Sequence, residues 1–219
     1  MMNKRNLVKQ YTVFIFGLFF ISFGVAFVTK AELGTSPIAA IPYSLSLIIP
    51  KLSLGNWAII FNILLVLIQL MILRKDANKV ELLLQFAISF FFGFFIDLSM
   101  MVLSGFTPQA YPVKMISLMI GCAIIAFGVY LEVIADVVML PNDAFVRTVA
   151  KALNKEYGVV RVISDSSMAV IAGVLCIILL GKLSGVREGT VIVALIVGNI
   201  IRLFTSKLQK LTFLLLPER

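Results

Sequence analysis

Long apolar runs separated by short polar breaks dominate the chain. Six runs are long enough to cross a bilayer, at about 11–31, 55–73, 82–103, 113–134, 159–181 and 189–207, since a spanning helix needs about 20 apolar residues. Two others, 37–50 and 141–155, are too short to cross at about 1.5 Å of rise per residue. Each opens on a proline, Pro37 or Pro141, which suits a first helical position because its missing N–H would have no partner there anyway. Thr35 or Ser36 is placed to cap the first short helix. Asn142 and Asp143 put polar groups into the first turn of the second. The pattern predicts an all-α membrane protein with six transmembrane helices plus two short non-crossing helices, in one domain over residues 1–219.

The order span, short helix, span, span occurs twice. Phe23-Gly24-Val25 and Phe127-Gly128-Val129 lie 104 residues apart, and Gly17 matches Gly121, Ile21 matches Ile125 and Ala40 matches Ala144 at that offset. Glu32 and Asp136 are acids standing five residues before Pro37 and Pro141. Roughly eight of about 35 aligned positions are identical. Internal repeats of this kind define architecture, and the two units cover about 11–103 and 113–207. An odd number of spans per unit turns the second copy upside down, giving an inverted 3+3 repeat as in many secondary transporters.

Composition agrees with a bilayer as solvent: 61% of the 219 residues are hydrophobic and 14% charged, against about 25% charged in a soluble domain. The net charge of +8 is spread between apolar spans, with no basic arm, so it flanks a membrane and does not point to nucleic acid. The clusters Lys4-Arg5-Lys9, Arg74-Lys75-Lys79, Arg147-Lys151-Lys155-Arg161 and Lys207-Lys210 fall on one side if the short helices do not cross, while the loop 104–114 holds only Lys114. Basic loops face the cytoplasm, so both termini are expected there. Lys182 and Arg187 on the other side are the exception, partly balanced by Glu188.

The chain has no histidine, which removes the commonest metal ligand. Cys122 and Cys176 lie inside apolar spans and read as small core residues. No metal cluster, cofactor motif or nucleophile motif is evident, so an enzyme is not expected. Candidate chemistry rests on polar groups in or beside spans, which are costly in lipid and usually paired or facing a cavity. Glu32 and Asp136 read either as span-end acids in water or as a symmetric pair that binds a cation or relays a proton. Asn62 and Asp165 correspond across the repeat, as do Asp97 and Arg202, after Gly93 and Gly198. Depth along the helix places Arg202 level with Asp165, each about 9 Å from its span end, so Arg202 is expected to pair with Asp165, or else with Glu132. Asp143, Arg147, Lys151 and Lys155, spaced by four, suggest a charged face at the cytoplasmic interface. The turns 34–37 and 185–190 read mainly as turns before helices, and secondarily as anion cradles. Gly17, Gly24, Gly121 and Gly128 recur at spacing seven and read as close helix packing. The candidate pathway is thus Glu32, Thr35, Ser36, Asn62, Asp97, Asp136, Asn142, Asp143, Asp165 and Arg202.

Leu33-Gly34-Thr35-Ser36-Pro37, Leu54-Gly55, Gly93 with Asp97, Leu140-Pro141-Asn142-Asp143-Ala144, Arg161 and Gly185 to Thr190 together resemble the YczE/YitT-type family of bacterial integral membrane proteins. One departure is Val137-Val138-Met139 where that family has a glycine before the second proline. The resemblance implies a multi-span protein of the bacterial inner membrane and names no substrate. The expected function is a small-molecule carrier, its partners the lipid bilayer and an unknown small-molecule substrate. The alternative is an accessory protein supporting another membrane or secretion system. The turns at Glu32 and Asp136 are the expected opposite gates of the carrier.

Overall fold

The structure is a computed structural model that describes residues 4–74 and 77–208, the side chains of 4–6 excepted. The side chains of Lys4 and Arg5, and Lys75 and Lys210, used above in the charge argument, therefore lie outside the described residues. Eight helices are present: α1 (Lys4–Lys30), α2 (Pro37–Ile48), α3 (Leu54–Leu73), α4 (Lys79–Val102), α5 (Tyr111–Ala135), α6 (Pro141–Ala152), α7 (Tyr157–Leu180) and α8 (Glu188–Lys207). No strand occurs among the described residues. Six helices are long and apolar enough to cross a membrane, and α2 is a shorter apolar one. The chain is an integral membrane protein, as the hydropathy pattern predicts.

Two glycine pairs hold the centre. Helices α1 and α5 run antiparallel and in backbone contact. A Cβ on Gly17 would stand 2.9 Å from the Gly128 carbonyl oxygen, and one on Gly24 would stand 2.8 Å from the Ile125 nitrogen. Small residues permit this approach, which is how helices associate where lipid removes the hydrophobic drive. Around the seam pack Leu18, Ile21, Val25, Leu118, Cys122 and Ile125, all buried. Cys122 and Cys176 are free and buried, in line with their reading as core residues.

Helix α4 lies on α1, and α8 lies on α5. Ser22 on α1 donates to the Phe92 carbonyl of α4 at 3.3 Å, and Tyr130 on α5 donates to the Leu208 carbonyl beyond α8 at 2.8 Å. The short helices sit between α3 and α7, each touching both. Helix α2 belongs to the end of the bundle where α1 stops, called distal here; α6 belongs to the end where α1 begins, called proximal. No residue of α2 is exposed, which agrees with its uniformly apolar sequence. Ser36 is its N-cap residue, but its side chain makes no capping hydrogen bond, and Thr35 bonds Thr29 instead, Oγ1 to Oγ1 at 2.8 Å.

Helices α7 and α8 turn much of their surface outward. Val162, Ile163, Val170, Ile178 and Leu195 are among their exposed side chains. Aliphatic exposure of this kind is what a helix facing lipid needs. The two share no packed seam, whereas α3 and α4 pack tightly.

The α1–α5 seam makes a direct expectation. Gly24→Ala and Gly128→Ala each drive a methyl into backbone and should cost about 1–3 kcal/mol, as overpacking does. Gly105→Ala, with nothing within 4 Å, should leave thermal unfolding of the purified protein in detergent unchanged. Equal melting temperatures for all three would remove the seam from the account of stability.

Candidate functional site

The distal polar residues are engaged with one another. Helix α1 ends at Lys30, and just beyond it Glu32 adopts a positive φ of 57°. Its carboxylate accepts from Lys114 at 2.6 Å, and its carbonyl accepts from Arg187 at 3.0 Å. Gly34 follows with φ 108°, and a Cβ there would meet the Arg187 nitrogen at 2.9 Å. The Thr35 N–H donates to Thr190 Oγ1 at 3.2 Å, and the Gly189 N–H donates to the Leu33 carbonyl at 2.8 Å. The two glycine-containing turns thus use their donors on each other, so neither is an anion cradle here. Thr35 is fully buried.

Asp97 also lies at the distal end, as a tertiary cap for α3. Its Oδ1 accepts from the Gly55 N–H at 2.8 Å, and its Oδ2 accepts from Ser53 Oγ at 2.6 Å. Ser53 Oγ in turn accepts from the Asn56 N–H at 3.0 Å. A carboxylate at a helix N-terminus is favoured by the helix dipole. Gly55 and Gly93 bring α3 and α4 together at this point: an added Cβ on either would overlap the other's carbonyl oxygen. Asn62 is buried on α3 and lines neither cavity described below.

The proximal end is different. Helix α5 stops at Asp136, again with a positive φ, 49°, so both repeat acids follow their helices in the left-handed conformation. The chain then folds back, and the Leu140 N–H donates to Glu132 Oε1 at 3.0 Å. Glu132 is 7% exposed, and its other oxygen, Oε2, has no hydrogen-bond partner. Asn142 is buried with both amide atoms unpartnered. Gln69 of α3 donates to the Pro141 carbonyl at 3.1 Å and to Gln85 of α4 at 3.0 Å. Arg161 bonds Asp143 and, at 3.0 Å, Asp165; it also reaches the Tyr157 hydroxyl at 3.2 Å.

Two adjoining cavities open here. The larger holds about 550 Å³ and is lined by Asn78, Glu81, Glu132, Asp136, Asp143 and Arg147 beside an aliphatic wall. The smaller, about 120 Å³, shares Asn78, Glu81 and Arg147 with it and reaches Gln69 and Gln85. Two of the sequence candidates, Asp136 and Asp143, line the larger cavity. Asn142 stands between them in the chain, and Asp165 is joined through Arg161. Glu32, Thr35, Ser36 and Asp97 belong to the other end.

The expected Arg202 pairing is not what forms. Arg161, on the same helix as Asp165, takes that carboxylate, and Glu132 is turned to Leu140. Arg202 is exposed and makes no ion pair among the described residues. Without a packed α7–α8 seam the two side chains do not meet. The continuous charged face on α6 is corrected as well. A step of four residues overshoots a 3.6-residue turn by about 40°, so Asp143 turns inward to Arg161 while Arg147 and Lys151 stay exposed. Lys155 lies past the helix end.

Residues 8–206 match the family described as "Family of unknown function (DUF6198)". The chain belongs to that family. No curated protein and no solved structure matches it. For this DUF6198 member, function must therefore be argued from the site.

Sequence reading undervalued Glu132, Glu81, Arg147, Gln69 and Gln85. Arg161 was readable, because it stands four residues before Asp165 on one helix face.

The Arg161 network yields a stability expectation. Arg161→Ala strands two partly buried carboxylates. It should cost about 1–3 kcal/mol, less than the about 3–5 of a fully buried pair, because the Arg161 side chain is 27% exposed. Arg202→Ala should stay within about 0.5 kcal/mol, as an exposed substitution does. Thermal unfolding in detergent checks both, and a larger loss at Arg202 would restore the pairing rejected above.

Proposed function

We propose that this protein is a small-molecule carrier built from an inverted 3+3 repeat, and that the proximal cavity is its substrate site. One asymmetry carries the reading. The helix pairs repeat: α1 on α4 matches α5 on α8, α2 on α7 matches α6 on α3, and α2 on α8 matches α6 on α4. The exception is α3 on α4, whose counterpart, α7 on α8, is not packed. The exception is local and tied to residues. Gly55 and Gly93 touch at the distal end, whereas their counterparts Gly158 and Gly198 have no close neighbour from each other's helix.

Closure at one end with an opening at the other is the arrangement that alternating access requires of inverted repeats. Thr35 is buried in the distal turn, while Met139, at the equivalent place in the proximal turn, lines the large cavity. The turns ending at Glu32 and Asp136 thereby act as opposite gates, the distal one shut and the proximal one open. In the other state α7 would close on α8 through Gly158 and Gly198. The counterparts of Ser53 and Asp97 are Glu156 and Arg202, and their opposite charges would make the closing contact. Arg202, idle in this state, gains a role in that one.

The accessory-protein reading asks for no cavity, and an open cavity of about 550 Å³ lined by both charged and aliphatic side chains favours the carrier over it. The absence of a nucleophile motif favours it over an enzyme. Basic loops place the proximal end in the cytoplasm of a bacterial cell, so the site opens inward. The resemblance to YczE/YitT-type proteins is compatible with this and rests on the two proline turns.

Cysteines at Glu156 and Arg202, in a chain with Cys122 and Cys176 replaced, test the exchange. Oxidation should cross-link a fraction of the protein, lower alkylation of Met139→Cys and raise that of Thr35→Cys in matched triple variants. A Thr35→Cys that stays unreactive while the cross-link forms would sink the alternating-gate reading.

A further inference from the structure

We propose that the proximal cavity binds a monovalent organic cation with an apolar body, and that Glu132 is the carboxylate that holds its charge. This deepens the carrier reading, and rests on it only in calling the bound cation a substrate.

Three observations converge. The first is charge. Glu81, Glu132, Asp136 and Asp143 face Arg147 around one cavity. Asp143 is already bonded to Arg161, and Arg147 directs its Nη1 to Met139 Sδ. Even with Asp136 left out of the count, Glu81 and Glu132 stand against one guanidinium. A pocket of one prevailing sign inside low-dielectric walls concentrates the opposite ion.

The second is the bare oxygen. Glu132 is held by one hydrogen bond, from Leu140 to Oε1, which fixes its side chain beside the cavity. Oε2 is buried and has no protein partner. A carboxylate removed from water is costly unless it is paired, and one inside a membrane span marks function by default. No protein group supplies what Oε2 lacks. A ligand cation supplies it directly.

The third is the wall. Leu84, Val129, Val133, Val137 and Val138 line the same cavity, and about 550 Å³ lies within the about 300–1,000 Å³ of small-molecule pockets. An inorganic ion would leave that wall unused. Among the described residues no three acidic or cysteine side chains come together as metal ligands, so the carboxylates are spread as they would be around a larger, singly charged body. The apolar wall then takes the body and Glu132 the charge, with Asp136 and Glu81 at the rim.

Tetraphenylphosphonium and tetraphenylborate share shape and differ in the sign of charge, so they separate this proposal from simple apolar binding. The purified full chain in detergent should bind labelled tetraphenylphosphonium saturably, with no saturable binding of tetraphenylborate. Glu132→Gln keeps an acceptor for Leu140 and should weaken cation binding about tenfold or more, the loss expected when a charge loses an ionic partner. A second readout leaves Glu132 in place: tetraphenylphosphonium should slow alkylation of Met139→Cys, and tetraphenylborate should not. Equal binding of the two ions, unchanged binding by Glu132→Gln, or no saturable cation binding with no protection at Met139→Cys would each overturn the proposal. Cation binding without the gate exchange described above would leave this site standing and remove the carrier. Gate exchange without cation binding would do the reverse.

Discussion

Everything in this molecule hangs on how closely α1 and α5 approach. Gly17, Gly24, Gly121 and Gly128 each present bare backbone to the opposite helix, and that contact places the remaining helices by repetition: α4 against one partner, α8 against the other. In lipid no hydrophobic force drives two apolar helices together, so shape and close packing must do so. A seam with glycines at spacing seven meets that requirement and makes the two halves lean on a common axis. The buried core clusters around it, while α7 and α8 are left with apolar faces turned outward.

From that constraint follows a division of labour between the two ends. Where the distal turns meet, Glu32, Thr35 and Asp97 have close partners in Lys114, Thr190 and the first turn of α3, although the Ser36 and Ser44 hydroxyls and the Trp57 indole N–H are buried without one. The proximal end has such groups too. Glu132 Oε2, both amide atoms of Asn142 and Asp165 Oδ1 are buried without partners. Buried polar atoms are ordinarily satisfied, and of all these only Glu132 lines one of the two cavities, which sets its bare oxygen apart from the others.

Much of the architecture was legible in the hydropathy pattern. All six spans and both proline-led short helices stand where apolar run length and the prolines put them, and the seam glycines do what their spacing suggested. The limits were geometric. Rise per residue gives depth and says nothing about which way a side chain faces, so depth alone paired Arg202 with Asp165, which Arg161 takes instead. Asp97 was recognised as a polar group within a span. Its role as a cap for another helix depends on the Gly55–Gly93 approach, which no single stretch encodes. Glu132 was weighed only as a reserve partner for Arg202, because the fold-back that brings the Leu140 N–H to its carboxylate is a tertiary feature.

Glu32 and Asp136 stand in two similar turns with different surroundings. Glu32 and Asp136 share a place in the repeat and a left-handed backbone at the end of a helix, and that shared feature is structural: each lets the chain turn sharply into a proline-led helix. What differs is the residue four positions earlier. Val28 precedes Glu32 and is fully buried against the seam, whereas Glu132 precedes Asp136. The equivalent turn of helix therefore carries an aliphatic side chain in one copy and a carboxylate in the other. A fold made of two matching halves needs no such difference, because Val28 fills its place without any polar partner. The carboxylate in the second copy requires one, and the cavity lies beside it. The departure from symmetry, more than the symmetry itself, is what supports the proposed cation site.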